Sequence, residues 1–344
     1  MDDKNYPVGR ILAGDENGIR AARERFLVQP VDQTELCDGE TGYSPFRTTL
    51  AGTQSVTGPG TFYRRHRRTL TFKPSAQPGW WIERSDQPEQ LPIAVSARNI
   101  WTTQRNIVLR SGSPHNYLRM VEHIVALRLG MGVDDVTVAT DAGDPPLFDR
   151  GSMDLVEAVE AAGIRTLNAP ATYVTVREPV TIGGDRGDYI TVLPAEPGVR
   201  KLRVDCAVDF DSAIGQQRIL FDMTPRLFRH GALARTNASL MQMILCKTIG
   251  VAMADMRNIG YNQHNILIHS RKRFFNQPCP QFSHNGKELE PVWHRVTLDL
   301  FAALALIDAG RFAGTVISYR AGHALDCRLV TLLYKHDLLV TMPI

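Results

Sequence analysis

The order of strand-like and helix-like segments constrains this chain most, because the same order is laid down twice. Residues 47–51 and 68–74 alternate polar and apolar side chains as strands do, and 80–83 and 106–109 are further strand candidates. Apolar residues then recur at helical spacing through 120–130. A strand over 135–139, a long turn over 143–152 and a helix over 153–162 that stops at Gly163 complete the first pass. The order then returns. Strands are predicted over 173–176, 189–193, 201–208 and 218–221, helical segments within 225–243, a strand over 265–269, a helix over 293–309, a strand over 314–319 and a last helix over 322–334. Strands and helices in runs, rather than in strict alternation, predict an α+β fold. Two similar halves are expected, 46–166 and 167–344, behind a turn-rich N-terminal extension of residues 1–45 with one short candidate helix over 18–26. No residue-level repeat accompanies the repeated order.

Composition narrows the class. The 344 residues are 43% hydrophobic and 22% charged, the profile of a globular protein of one large or two ordinary domains. A formal charge of +3 is too small to imply a polyanion, and no apolar run is long enough for a membrane-spanning helix. The N-terminus lacks an apolar signal region, and the five cysteines form no CxxC pair, so free thiols and a cytoplasmic protein are expected.

Within the predicted helix over 120–130, Glu122 and His123 sit side by side among apolar residues. Burying both is costly unless something pairs with them. One reading is a metal, with His123 as a ligand and Glu122 as general base towards a water. The other is a core helix with an internally satisfied Glu-His pair. His294 and Asp299 near one helix start, His323 beside a glycine before another, and Thr236 in an apparently helical region are each ordinary alone. The basic run Tyr63-Arg-Arg-His-Arg-Arg68 reads either as a phosphate contact or, preferentially, as a charged strand edge. Its few aromatics argue against nucleic acid.

Together, and in this order, these stretches resemble the UDP-3-O-acyl-N-acetylglucosamine deacetylases, zinc enzymes of lipid A synthesis. The matching segments are Val121-Glu-His123, Gly132-Val-Asp-Asp-Val136, Pro146-Leu-Phe-Asp-Arg-Gly-Ser152, Val208-Asp-Phe210, Ala234-Arg-Thr236 and Ser318-Tyr-Arg-Ala-Gly-His-Ala-Leu325. The resemblance implies two similar α+β domains forming a β-α-α-β sandwich and a single Zn²⁺, or Fe²⁺, held by His123, His294 and Asp299. It implies Glu122 as base, His323 as the imidazole that stabilises the oxyanion and protonates the leaving amine, and Thr236 as an oxyanion donor. Arg295 keeps the positive charge of the family's lysine, and Arg320 is a candidate for substrate phosphate. The implied partner is a small N-acyl amino sugar, without nucleic acid or a membrane span.

Two departures sharpen the expectations. The family's His-Lys-x-x-Asp becomes His294-Arg-Val-Thr-Leu-Asp299, one residue longer. On a regular helix position i+4 lies ~40° from i, but i+5 lies ~140° away. A local distortion between Arg295 and Asp299, either a one-residue π-bulge or an irregular first turn, is therefore predicted, and such bulges gather at functional sites. The family's Gly-Leu-His-x-Gly segment is replaced by Ser55-Val-Thr-Gly-Pro-Gly60, with Gly58–Gly60 expected as a turn. The stretch 246–261 mixes Ile249, Val251, Met253 and Met256 with charges and predicts a more polar channel than a long acyl chain needs. Hydrolysis of another N-acyl compound, or a non-catalytic binding role on the same fold, are the alternatives.

Overall fold

The computed structural model describes residues 6–39, 41–62, 66–252 and 259–343. The fold is α+β. Its largest sheet has seven strands in the order Arg10–Ala13, Val180–Gly183, Tyr189–Leu193, Gly314–Tyr319, Leu202–Phe210, Gly215–Asp222 and Gln33–Glu35. A second sheet has five, in the order Gln54–Pro59, Arg67–Pro74, Val136–Thr140, Trp80–Arg84 and Ile93–Ala94. The helices are α1 (Glu16–Val28), α2 (Glu122–Met131), α3 (Met153–Ala162), α4 (Pro225–Gly231), α5 (Leu240–Lys247), α6 (Glu290–His294), α7 (Phe301–Ala305) and α8 (His323–Lys335). A π-helical turn, Arg295–Leu300, joins α6 to α7. Among the described residues no helix is long and apolar enough to cross a membrane.

Side-chain alternation in the large sheet shows why the chain begins as it does. Ile190, Val192, Val204, Cys206 and Val316 face the main core, while Tyr189, Leu193, Ala207, Ile317 and Tyr319 face the opposite way. That second face is apolar and must be covered. Helix α1 covers it with Ile19, Ala22 and Phe26. Asp15 caps α1 by accepting from the Gly18 amide at 2.7 Å. Residues 10–35 of the N-terminal extension thus pack on the body of the fold. They supply both edge strands of the seven-stranded sheet and the helix on its back, and that helix runs two residues further at each end than the expected 18–26, stopping where Gln29 turns to extended backbone.

On the main-core side, α2 packs against α7 and the π-turn, α3 against the five-stranded sheet, and α6 and α8 against the seven-stranded one. Gly58–Gly60 is not the expected turn, because Gly58 and Pro59 pair with Arg68 and Arg67 across two strands. The same pairing places Arg67 and Arg68 on an inner strand rather than an edge. Arg68 there meets Asp144 at 2.9 Å, while Tyr63, Arg64 and Arg65 lie outside the described residues.

Phe26 is fully buried, with its ring edge-on to Tyr189 and Tyr319 and the Arg218 guanidinium 4.0 Å from its centroid. Phe26→Ala is expected to destabilise the protein by about 3–5 kcal/mol, read as a lowered urea midpoint. A loss under ~1 kcal/mol would mean that α1 contributes little to the fold.

Candidate active site

The polar groups predicted to act together lie at the meeting of two buried helices. Glu122 and His123 open α2, and the His123 and His294 rings stand 5.8 Å apart, centroid to centroid. From α6 and the turn after it, His294 Nε2 faces Asp299 Oδ1 at 3.9 Å. Of the two predicted distortions, the turn is the π-bulge: the extra residue per turn returns Asp299 to the His294 face. Gly231 in α4 lets the turn pass close, since a Cβ there would sit 2.0 Å from Thr297 Oγ1.

Each imidazole is oriented through its other nitrogen. His294 Nδ1 lies 3.0 Å from the Ala234 carbonyl, and His123 Nδ1 lies 2.8 Å from Ser152 Oγ. The hydrogen bond to a carbonyl makes Nδ1 of His294 a donor and turns Nε2 towards Asp299. Burial, with His294 beside it, lowers His123 to about 4, so its imidazole is neutral, the form that binds metals. Ser152 is held by Gly151, whose φ of +62° and approach to the Ala232 carbonyl exclude a side chain. Its own amide donates to that carbonyl at 2.7 Å.

Glu122 is buried, and burial pushes its carboxyl up to about 8, with nearby Asp299 adding to the rise and the Ile107 amide, 3.0 Å from Oε2, opposing it. A buried carboxyl group near Asp299, with His123 and His294 beside them, is a donor set that a divalent cation would balance. Two histidine nitrogens and a carboxylate oxygen suit zinc or iron. Among the described residues no three such side chains are already drawn into a coordination sphere. His123, His294 and Asp299 are the side chains that would hold such an ion, with His294 and Asp299 3.9 Å apart.

A cavity of about 650 Å³ opens over this point, with Thr236, His294, Arg295, Asp299 and Arg320 in its wall. Thr236 is not helical as expected. It starts the strand Thr236–Ser239, which pairs in parallel with Ile266–His269. Arg235 fixes that start through a bidentate pair with fully buried Glu290 of α6, at 2.7 and 2.9 Å. The stretch Ala234–Thr236 therefore positions both His294 and the Thr236 hydroxyl. Arg320 holds a left-handed φ of +54° just before Gly322 and α8, where His323 is half-buried. Arg295 is buried, donating to Asp326 Oδ1 at 2.6 Å and to the Ala321 carbonyl at 2.5 Å. Its Nη1 has no hydrogen-bond partner.

Sequence reasoning assigned no role to Ser152, Arg235, Glu290 or Asp326, nor to Arg186 and Arg328 in the cavity wall. None carries a local signature. Arg235 and Glu290 are 55 residues apart, and Arg295 and Asp326 are 31 apart. Only Ser152, before α3, had a visible signal, as a helix-cap residue; its hydroxyl caps nothing and binds His123 instead.

Comparison with known proteins identifies the family. A family model described as UDP-3-O-acyl N-acetylglycosamine deacetylase matches residues 47–335. The chain is similar to the UDP-3-O-acyl-N-acetylglucosamine deacetylase of Thermosynechococcus vestitus, at 30% identity over 82% of this chain and 91% of the relative. It is 28% identical to that of Myxococcus xanthus, over 82% and 84%, and 26% identical to that of Shewanella loihica, over 85% and 91%. The chain belongs to the UDP-3-O-acyl N-acetylglycosamine deacetylase family.

Proposed function

We propose that this protein is a metal-dependent N-deacetylase that removes the acetyl group of a UDP-linked, 3-O-acylated N-acetylglucosamine in the cytoplasm. The observation that carries the reading is the convergence of His123, His294 and Asp299 beside Glu122, under a cavity with Thr236 in its wall. Two similar α+β domains, 46–166 and 167–344, stacked as a β-α-α-β sandwich with the site between their helices, are part of the same reading. Residues 10–13 and 33–35 of the N-terminal segment add the edge strands to the sheet that this reading gives to the second domain.

In this reading His123, His294 and Asp299 hold one Zn²⁺ or Fe²⁺, which supplies Lewis acidity to the acetyl carbonyl and lowers the pKa of water. Glu122 takes the proton of the attacking water. The Thr236 hydroxyl donates to the oxygen that becomes an oxyanion. His323, as imidazolium, delivers a proton to the amide nitrogen as the C–N bond breaks, giving acetate and a free amine. Arg295 contributes a fixed positive charge, since Asp326, Ser318 and the Ala321 carbonyl hold its guanidinium in one place.

Arg186, Arg320 and Arg328 share the cavity wall and suit a pyrophosphate. The expectation of a polar channel gives way on one point. Met241, Ile244 and Ile249 are exposed on and just after α5, directly after the Thr236 strand, and Leu240 and Leu245 are partly so. That apolar face supports an acyl chain beside the site. Met253 and Met256 lie outside the described residues.

The test is acetate release from the UDP-3-O-acyl and the non-acylated UDP-N-acetylglucosamine. A preference of about 100-fold or more in kcat/KM, ~2.7 kcal/mol, is expected for the acylated compound. Equal rates would remove the acyl assignment, and no release from either would remove the function. Glu122→Ala is expected to lower kcat by ~10²–10⁴ with metal content unchanged; loss of the metal would make Glu122 a ligand. Asp326→Ala strands Arg295 as an unpaired buried charge and is expected to lower stability by about 3–5 kcal/mol in chemical denaturation. An unchanged unfolding midpoint would show that the pair is not what holds Arg295.

A further inference from the structure

The two histidine rings are held by partners of different kinds. The Ala234 carbonyl, 3.0 Å from His294 Nδ1, can only accept, so that bond has one polarity, with Nδ1–H donating. The Ser152 hydroxyl, 2.8 Å from His123 Nδ1, can donate or accept, so this bond has two. A neutral imidazole carries one N–H, and the polarity of the bond and the tautomer of His123 are therefore a single choice.

Burial decides that choice. Ser152 is fully buried, and among the described residues its Oγ has no hydrogen bond other than the one to His123. If His123 donates, the hydroxyl hydrogen of Ser152 is left without an acceptor where water does not reach, an unfavourable arrangement. If Ser152 donates, its hydrogen is used, Nδ1 is the acceptor, and the ring proton sits on Nε2. His123 is only partly buried, and its Nε2 is not among the buried atoms left without a partner. The second polarity thus satisfies both groups. Ligation demands the first. A metal takes a lone pair, and with Nδ1 engaged by Ser152 the nitrogen of His123 left to supply one is Nε2.

We infer that the Ser152–His123 hydrogen bond reverses its polarity when the site is loaded. The inference rests on the reading of His123 as a metal ligand given above. In the metal-free protein Ser152 donates to Nδ1. On loading, Nε2 gives its proton to solvent and Nδ1 takes one up, so the ring stays neutral and releases no net proton. The hydroxyl rotates and accepts. Ser152 is a positioning residue that keeps the His123 ring in place in both states but favours the metal-free one. The Ala234 carbonyl presents His294 with no such choice.

The test labels the histidines of the full-length protein with ¹⁵N and reads the ring-nitrogen shifts near neutral pH, before and after addition of Zn²⁺. The His123 signals are those missing from His123→Gln. In the metal-free protein they are expected to report Nε2–H and an unprotonated Nδ1, and with Zn²⁺ they are expected to report Nδ1–H. A metal-free protein already in the Nδ1–H form would overturn the inference while leaving the metal site intact. A second arm compares the Zn²⁺ affinity of wild type and Ser152→Ala by competition with a chromophoric chelator. Because Ser152 stabilises both states, the affinity is expected to change by less than about tenfold. A loss of ~10–100-fold, usual for a partner that supports only the ligating form, would also overturn the inference. No Zn²⁺ uptake by wild type would remove the metal-site reading itself, and this inference with it.

Discussion

The burial of α2 against the α6–α7 segment is the constraint on which the rest of the structure depends. Apolar packing along this contact, from Ile124 and Leu127 on one side to Val296 and Phe301 on the other, brings polar helix starts into a desolvated place. Desolvation then acts on each group in turn. It raises Glu122, lowers His123 and makes an extra cation favourable where the two histidines and Asp299 meet. The hydrophobic contact is non-directional, so the directional work falls to hydrogen bonds: Ser152 and Ala234 hold the two rings, and Glu290 with Arg235 holds the segment that carries Ala234.

Two buried ion pairs do most of this fixing, Arg235 with Glu290 and Arg295 with Asp326. Such pairs add little net stability, because desolvation offsets the attraction. Their effect is on position: a buried guanidinium satisfied on two edges has few other places to go. Arg295 differs from Arg235 in keeping one nitrogen unsatisfied in the cavity wall.

The N-terminal segment shows how a chain can enlarge a sheet without altering the site. Residues 10–13 and 33–35 add one parallel strand to each edge, and α1 covers the outer face behind Tyr319. Tyr319 directly precedes Arg320 and donates to Asp209, and both Arg320 and Asp209 line the cavity. The family match begins at residue 47, so this support lies outside the shared part of the chain.

Much of the fold was legible in the sequence where local periodicity and burial agree. The helix Met153–Ala162 and the strands Tyr173–Val176, Tyr189–Leu193 and Gly314–Tyr319 fall on the predicted residues, because alternating or helical apolar spacing fixes them locally. A distortion there was legible too, from the one-residue excess between His294 and Asp299 over the resembled pattern; of a π-bulge and an irregular first turn, the structure has the π-helical turn. Arg10–Ala13, Gln33–Glu35 and Thr236–Ser239 were not, because each is a strand only through its partner far along the chain. The sequence by itself determined which groups are candidates for the chemistry and in what order they occur. Only the tertiary structure decided that Ser152, Arg235, Glu290 and Asp326 hold them, because a hydrogen bond or ion pair between distant residues depends on where packing puts the two ends and leaves no periodic trace in the chain.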